Sequence, residues 1–167
     1  LHKEYRRQRQ MCIRDSIRRQ QPGNCEGAVA IGSGASATAQ YANASGYNAA
    51  ASGYGSVSTG AFSQASGDYG VALGGESEAS GAQSTAVGAA AGASGDGAFA
   101  GGALSVAEGT ESTALGYFAS ATGESATAVG AESVADGTSA AAFGFGAEAT
   151  SNSVSYHISE PTRQEAI

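Results

Sequence analysis

From Ala28 onward, small, apolar and polar residues recur in one fixed order every fourteen positions, nine times without insertion or deletion. Numbering each unit from Ala28, position 5 is glycine in all nine: Gly32, Gly46, Gly60, Gly74, Gly88, Gly102, Gly116, Gly130 and Gly144. Position 10 is always Ala, position 8 is Ala or Ser, and position 3 is Ala except at Ser58. Position 12 is Gly in seven units, with Ala39 and Ser151 the exceptions. A fixed repeat of short units marks a solenoid rather than a globule around one central core. Fourteen residues are too few for a helical hairpin, which needs about 34. They suit two short strands and two turns, with Gly at positions 5 and 12 marking the turns by a positive φ or a close backbone approach. The pattern predicts strand one at positions 1–4 and strand two at positions 7–11. Like would stack on like, giving two parallel sheets and a rod roughly 40 Å long at about 4.8 Å per coil.

Alternation along each strand assigns the faces. Positions 1, 3, 8 and 10 are small throughout and are expected to line a narrow interior. Positions 2 and 4 then point outward, yet they carry the larger apolar residues: Val29, Ile31, Val57, Val71, Leu73, Val87, Phe99, Leu115, Val129 and Phe143. The acids Asp68, Glu76, Glu78, Asp96, Glu108, Glu111, Glu124, Glu132, Asp136 and Glu148 all fall at positions 7, 9, 11, 13 or 14, and no charge falls at positions 1 to 6. Strand two is therefore expected to face water. An interior of Ala and Ser buries little apolar area, and a continuous apolar strip on strand one marks a protein interface. A single isolated roll is expected to be unstable, with strand one covered by protein.

Composition refines this picture. Abundant Gly, Ala and Ser could suit a disordered tract, but disorder needs no register, and the glycine period of three that defines collagen is missing. Seven of the eight basic residues precede residue 20, and none follows until Arg163. The array has ten acids and no base, which argues against nucleic acid as a partner. Cys12 and Cys25 lie outside the array, too few for a disulfide framework and without metal-ligand spacing. No apolar run is long enough for a membrane span or a signal peptide. Residues 1–24 are basic and aperiodic, and Met11–Ser16 resembles translated adapter sequence. The expected organisation is a non-repeat segment over 1–24, a roll over 25–153 and a different region from 154 to 167.

Units such as Ser84-Thr-Ala-Val-Gly88, Ser112-Thr-Ala-Leu-Gly116 and Ala28-Val-Ala-Ile-Gly32 resemble the S-V-A-I-G-x-x-S-x-A-x-G repeat of YadA-like heads. These are the haemagglutinin-type head repeats of trimeric autotransporter adhesins, and the resemblance covers residues 28 to 153. It implies a left-handed parallel β-roll, three copies of which associate around an axis on the Gram-negative cell surface. Such a homotrimer would cover the strip on strand one. Asn152-Ser-Val-Ser-Tyr156, with Arg163-Gln164 following, looks like the family's transition from head to neck, although His157 stands where the family usually has Gly. The family's stalk and membrane-anchor barrel are not in this chain, so any membrane attachment would run through a C-terminal anchor beyond it.

Candidate chemistry is sparse. Catalysis needs positioned acids, bases or nucleophiles, and the array holds no His, Cys, Lys or Arg. No enzyme activity, cofactor or metal is expected. Ile31-Gly-Ser-Gly-Ala35 fits the loose hexapeptide pattern of β-helix acyltransferases, whose coils are longer and generally rely on a His. Gly74-Gly75 is followed by Glu76 and no second copy, unlike calcium-binding nonapeptides. Thr85, Thr113 and Thr127 share a column, as in ice-binding solenoids, but Val87, Leu115 and Val129 beside them suit burial better. A trimeric spacer in a phage or tail fibre is the main alternative to an adhesin. Tyr41, Tyr47, Tyr54 and Tyr69, with Phe62, cluster in the first three coils. They read either as a patch for a matrix protein, glycan or cell-surface ligand, or as aromatic filler over the turns or part of the trimer contact.

Overall fold

A computed structural model describes residues 17–18, 26–152 and 154–156. All regular elements among them are strands, and each fourteen-residue unit is one coil with two of them. Strand one occupies positions 2–4, from Val29–Ile31 in the first coil to Ala141–Phe143 in the ninth, and strand two occupies positions 9–10, from Ser36–Ala37 to Glu148–Ala149. Every pairing between coils is parallel and in register, as in Ala30 on Ala44, Ala44 on Ser58 and Ala37 on Ala51. The result is a parallel β-solenoid with a 9-stranded sheet from strand two and an 11-stranded sheet from strand one. The larger sheet gains a strand at each end. Ile17–Arg18, inside the segment expected to stand apart, pairs antiparallel with Val29–Ile31. Val154–Tyr156 pairs with Ala141–Phe143 at a spacing one residue shorter, Ala141 opposite Val154, so the sheet runs past the boundary expected at 153. Residues 1–16, Cys25, and His157 with Arg163–Gln164 lie outside the described residues.

The strands are shorter than positions 1–4 and 7–11 because the turns take more of each coil. A coil consists of two seven-residue halves, each closed by a turn in which the fourth residue's N–H reaches the first residue's carbonyl. Ala91 N donates to Gly88 O at 3.4 Å and Ala98 N to Gly95 O at 3.1 Å. The third turn residue, at position 7 or 14, is left-handed in coil after coil, thirteen times in a residue other than glycine, with φ between 52° and 60°. This is the type II pattern, and it removes position 7 from strand two. A left-handed L-residue costs roughly 1–2 kcal/mol. The compensation is a hydrogen bond along the stack, since each such N–H donates to the preceding coil: Glu76 N to Ala61 O and Ala90 N to Gly75 O at 2.8 Å, Gln83 N to Asp68 O at 2.7 Å. The inter-coil ladder thus continues around the turns.

The two glycine columns serve different needs. Gly88 at position 5 has φ +135°, a region L side chains rarely enter. Gly95 at position 12 has no positive φ, but a Cβ there would lie 2.1 Å from Gly109 O in the next coil. The interior holds positions 1, 3, 8 and 10 as expected, and its bulkiest fully buried side chains are serines. At position 8, the hydroxyls of Ser63, Ser77, Ser105 and Ser133 donate to the position-5 carbonyl at 2.8–3.0 Å. At position 1, the equally buried hydroxyls of Ser56, Ser84 and Ser112 have no partner.

Candidate interaction surface

Strand one has position 3 in the interior, so positions 2 and 4 project from the outer face of the larger sheet. Val29, Val57 and Val71 at position 2 are half-buried by their stacked neighbours, as are Val129 and Phe143 at position 4. Ile31, Leu73, Val87, Phe99 and Leu115 are exposed, Leu115 by 46%. In-register stacking turns these side chains into rows running along the solenoid, broken at the second coil, where Asn43 and Ser45 stand, and at Thr59. The rows compensate for volume. A Cβ at Gly101 would meet Phe99 Cε1 at 2.8 Å and Leu115 Cδ1 at 2.9 Å, so the Phe99 ring fills the position-4 space that Gly101 leaves.

All ten acids of the array are exposed on strand two and the turns. Some of them tie coils together: Asp68 Oδ1 accepts from Tyr54 N and Asp96 Oδ1 from Ala82 N, both at 2.8 Å, and Thr122 Oγ1 donates to Asp136 Oδ1 at 2.8 Å. Among the described residues no group of three or more His, Cys, Asp or Glu could hold a metal ion.

The four candidate tyrosines fall into two groups. Tyr41, Tyr54 and Tyr69 line the row of turns at positions 12–14, with rings meeting edge to face at 5.7 and 5.3 Å. Tyr47 lies on the other turn row, at positions 5–7, and packs edge to face on Phe62 at 5.2 Å. Further along that second row stand Tyr117 and Phe118, 4.6 Å apart, and Phe145, 62% exposed. Weighing aromatics by clustering along the chain gives these three no prominence. Their shared signal is their place at positions 6 and 7. Among the described residues, hydroxyls, rings and carboxylates recur along the rod at the spacing of the coils.

Comparison with known proteins agrees with this geometry. The family model described as YadA head domain repeat (2 copies) matches residues 51–77, 79–105 and 107–133, each stretch spanning about two coils. No curated protein matches the chain. The stacked, glycine-hinged coils and the three consecutive matches together show that residues 51–133 are built of YadA-type head repeats.

Proposed function

We propose that this chain is an adhesive head, carried on the outer surface of a Gram-negative bacterium as a homotrimer of left-handed rolls and held to the membrane by an anchor C-terminal to it. The family is one of structural adhesins rather than enzymes. The observation that carries the trimer is the uncharged apolar strip of strand one, which follows the rod while every acid lies elsewhere. Adhesion is spread over a repetitive surface, and the exposed Tyr41–Tyr54–Tyr69 ladder is its best-defined patch for a matrix protein, glycan or cell-surface ligand. Tyrosine gives large contact area at low cost in side-chain entropy.

The assembly is tested by light scattering. The wild-type chain should have the mass of three copies. Leu73→Asp and Val87→Asp should break it, because each buries a carboxylate close to its own copies. Ser80→Asp, at position 11, where Glu108 and Asp136 already stand, should leave it intact. An intact Leu73→Asp trimer beside a dissociated Ser80→Asp chain would reverse the faces. Adhesion is tested separately by coating surfaces with matrix proteins or glycans and comparing the wild type with Tyr54→Ala.

A further inference from the structure

The geometry points to an off-centre seam: a second copy of this chain covers strand one together with the 5–7 turn, while the 12–14 turn stays in water. This inference rests on the assembly proposed above. In an isolated roll the two turns lie seven residues apart and share a left-handed third residue. Their side chains differ. Position 6 reads Ser33, Tyr47, Ala61, Gly75, Ala89, Ala103, Tyr117, Ala131 and Phe145, without a charge. Position 13 carries Asp68, Asp96 and Glu124 beside Gln40, Tyr54, Ala82, Thr110, Thr138 and Asn152. The apolar character of strand one is also lopsided. Position 2 has four large apolar residues, Val29, Val57, Val71 and Phe99, among three threonines, Asn43 and Ala141, whereas position 4, next to the 5–7 turn, has six, Ile31, Leu73, Val87, Leu115, Val129 and Phe143, among Ser45, Thr59 and Gly101. The Phe99 ring leans the same way, into the position-4 space over Gly101. Glu76 and Glu132 at position 7 mark the rim of the strip on that side.

Three arguments name the occupant as a second copy. The first is charge. An array with ten acids and no base can meet its own kind only through a face free of charge, and positions 1–6 are that face. The second is pitch. Rows of side chains spaced by the coil repeat, with the same gaps at Asn43, Ser45 and Thr59 in each copy, are matched along the rod by a surface of the same axial period, which a parallel copy in register provides. The third is area. Strand one alone is about 10 Å wide over a rod of about 43 Å, roughly 400 Å². Extending the strip to position 6 raises this to roughly 700 Å², which adds substantially to what each chain can bury against its neighbours in the assembly.

Ala89 at position 6 and Ala82 at position 13 give a matched test, since both are exposed in the single roll and neither has a positive φ. The wild type should scatter as an assembly. Ala82→Glu should keep that mass, and Ala89→Glu should weaken assembly at least tenfold. As a readout independent of dissociation, Ala89→Cys and Ala82→Cys are each placed in a chain carrying Cys12→Ser and Cys25→Ser. The thiol at position 89 should react with a soluble maleimide at least tenfold more slowly than the thiol at position 82. Equal masses and equal labelling rates in an assembled wild type would overturn the off-centre seam and leave the assembly standing. The opposite pattern would move the seam to the 12–14 turn. A wild type that scatters as a single chain would overturn both readings.

Discussion

The buried serines offer a sharp test of the coil geometry. Ser105 and Ser112 are seven residues apart, fully buried and at matching places in the two half-coils, positions 8 and 1. Ser105 Oγ donates to Gly102 O at 2.8 Å, whereas Ser112 Oγ has no partner. The difference traces to the first residue of each turn. Gly102 has φ +131°, while Gly109 has no positive φ, so the two carbonyls present themselves differently to the serine three residues on. Ser105→Ala removes a buried hydrogen bond and should cost about 0.5–1.5 kcal/mol. The carbonyl it leaves still accepts from Ser105 N at 3.3 Å, which keeps that cost at the lower end. Ser112→Ala removes a desolvated hydroxyl that has no partner and should gain about 1–3 kcal/mol. At about 3–5 °C per kcal/mol for a domain of this size, the two melting midpoints should separate by roughly 5–15 °C, with the wild type between them. Thermal unfolding followed by circular dichroism at matched concentration reads this directly. If both variants lose stability by the same amount, the Ser112 hydroxyl has a partner in solution and the asymmetry between the half-coils is refuted.

Two further predictions concern the backbone. Gly95→Ala places a Cβ 2.1 Å from Gly109 O, a backbone atom held by the stack, and should lower the melting midpoint by more than Ser105→Ala does. Gly92→Ala meets nothing within 4 Å and should be neutral or stabilising by about 0.5–1 kcal/mol. A midpoint for Gly95→Ala equal to that of Gly92→Ala would mean that the coils are not stacked in this register. Ala90→Gly relieves a left-handed φ of 53° and should gain about 0.5–1 kcal/mol net of the flexibility added to the unfolded chain. A loss of stability in denaturant titration would contradict the turn assignment.

The coil count, the interior columns and the outward face of strand one were all legible in the amino-acid order. Those properties follow from the identity of residues at a fixed period, and the unbroken run of position-5 glycines from Gly32 to Gly144 left one register. The same order put every acid on the faces that prove exposed, because charge cannot enter a narrow Ala/Ser interior. What each turn residue does became visible only in the folded stack. Tyr41, Phe62, Glu76 and Ala90 give no hint of a left-handed backbone in their side chains; that conformation is imposed by the carbonyl of the coil below, which each N–H must reach. The strand limits moved for the same reason, as the left-handed residue ends the extended run. The division of the tyrosines between two turn rows was equally hidden. Residues 41 and 47 are near neighbours along the chain, but half a coil separates them, and the stack sets Tyr41 beside Tyr54 and Tyr47 beside Phe62. The partnerless hydroxyls of Ser56, Ser84 and Ser112 were the least legible feature. Serine reads the same at positions 1 and 8, and only the aim of the preceding glycine carbonyl tells the two apart.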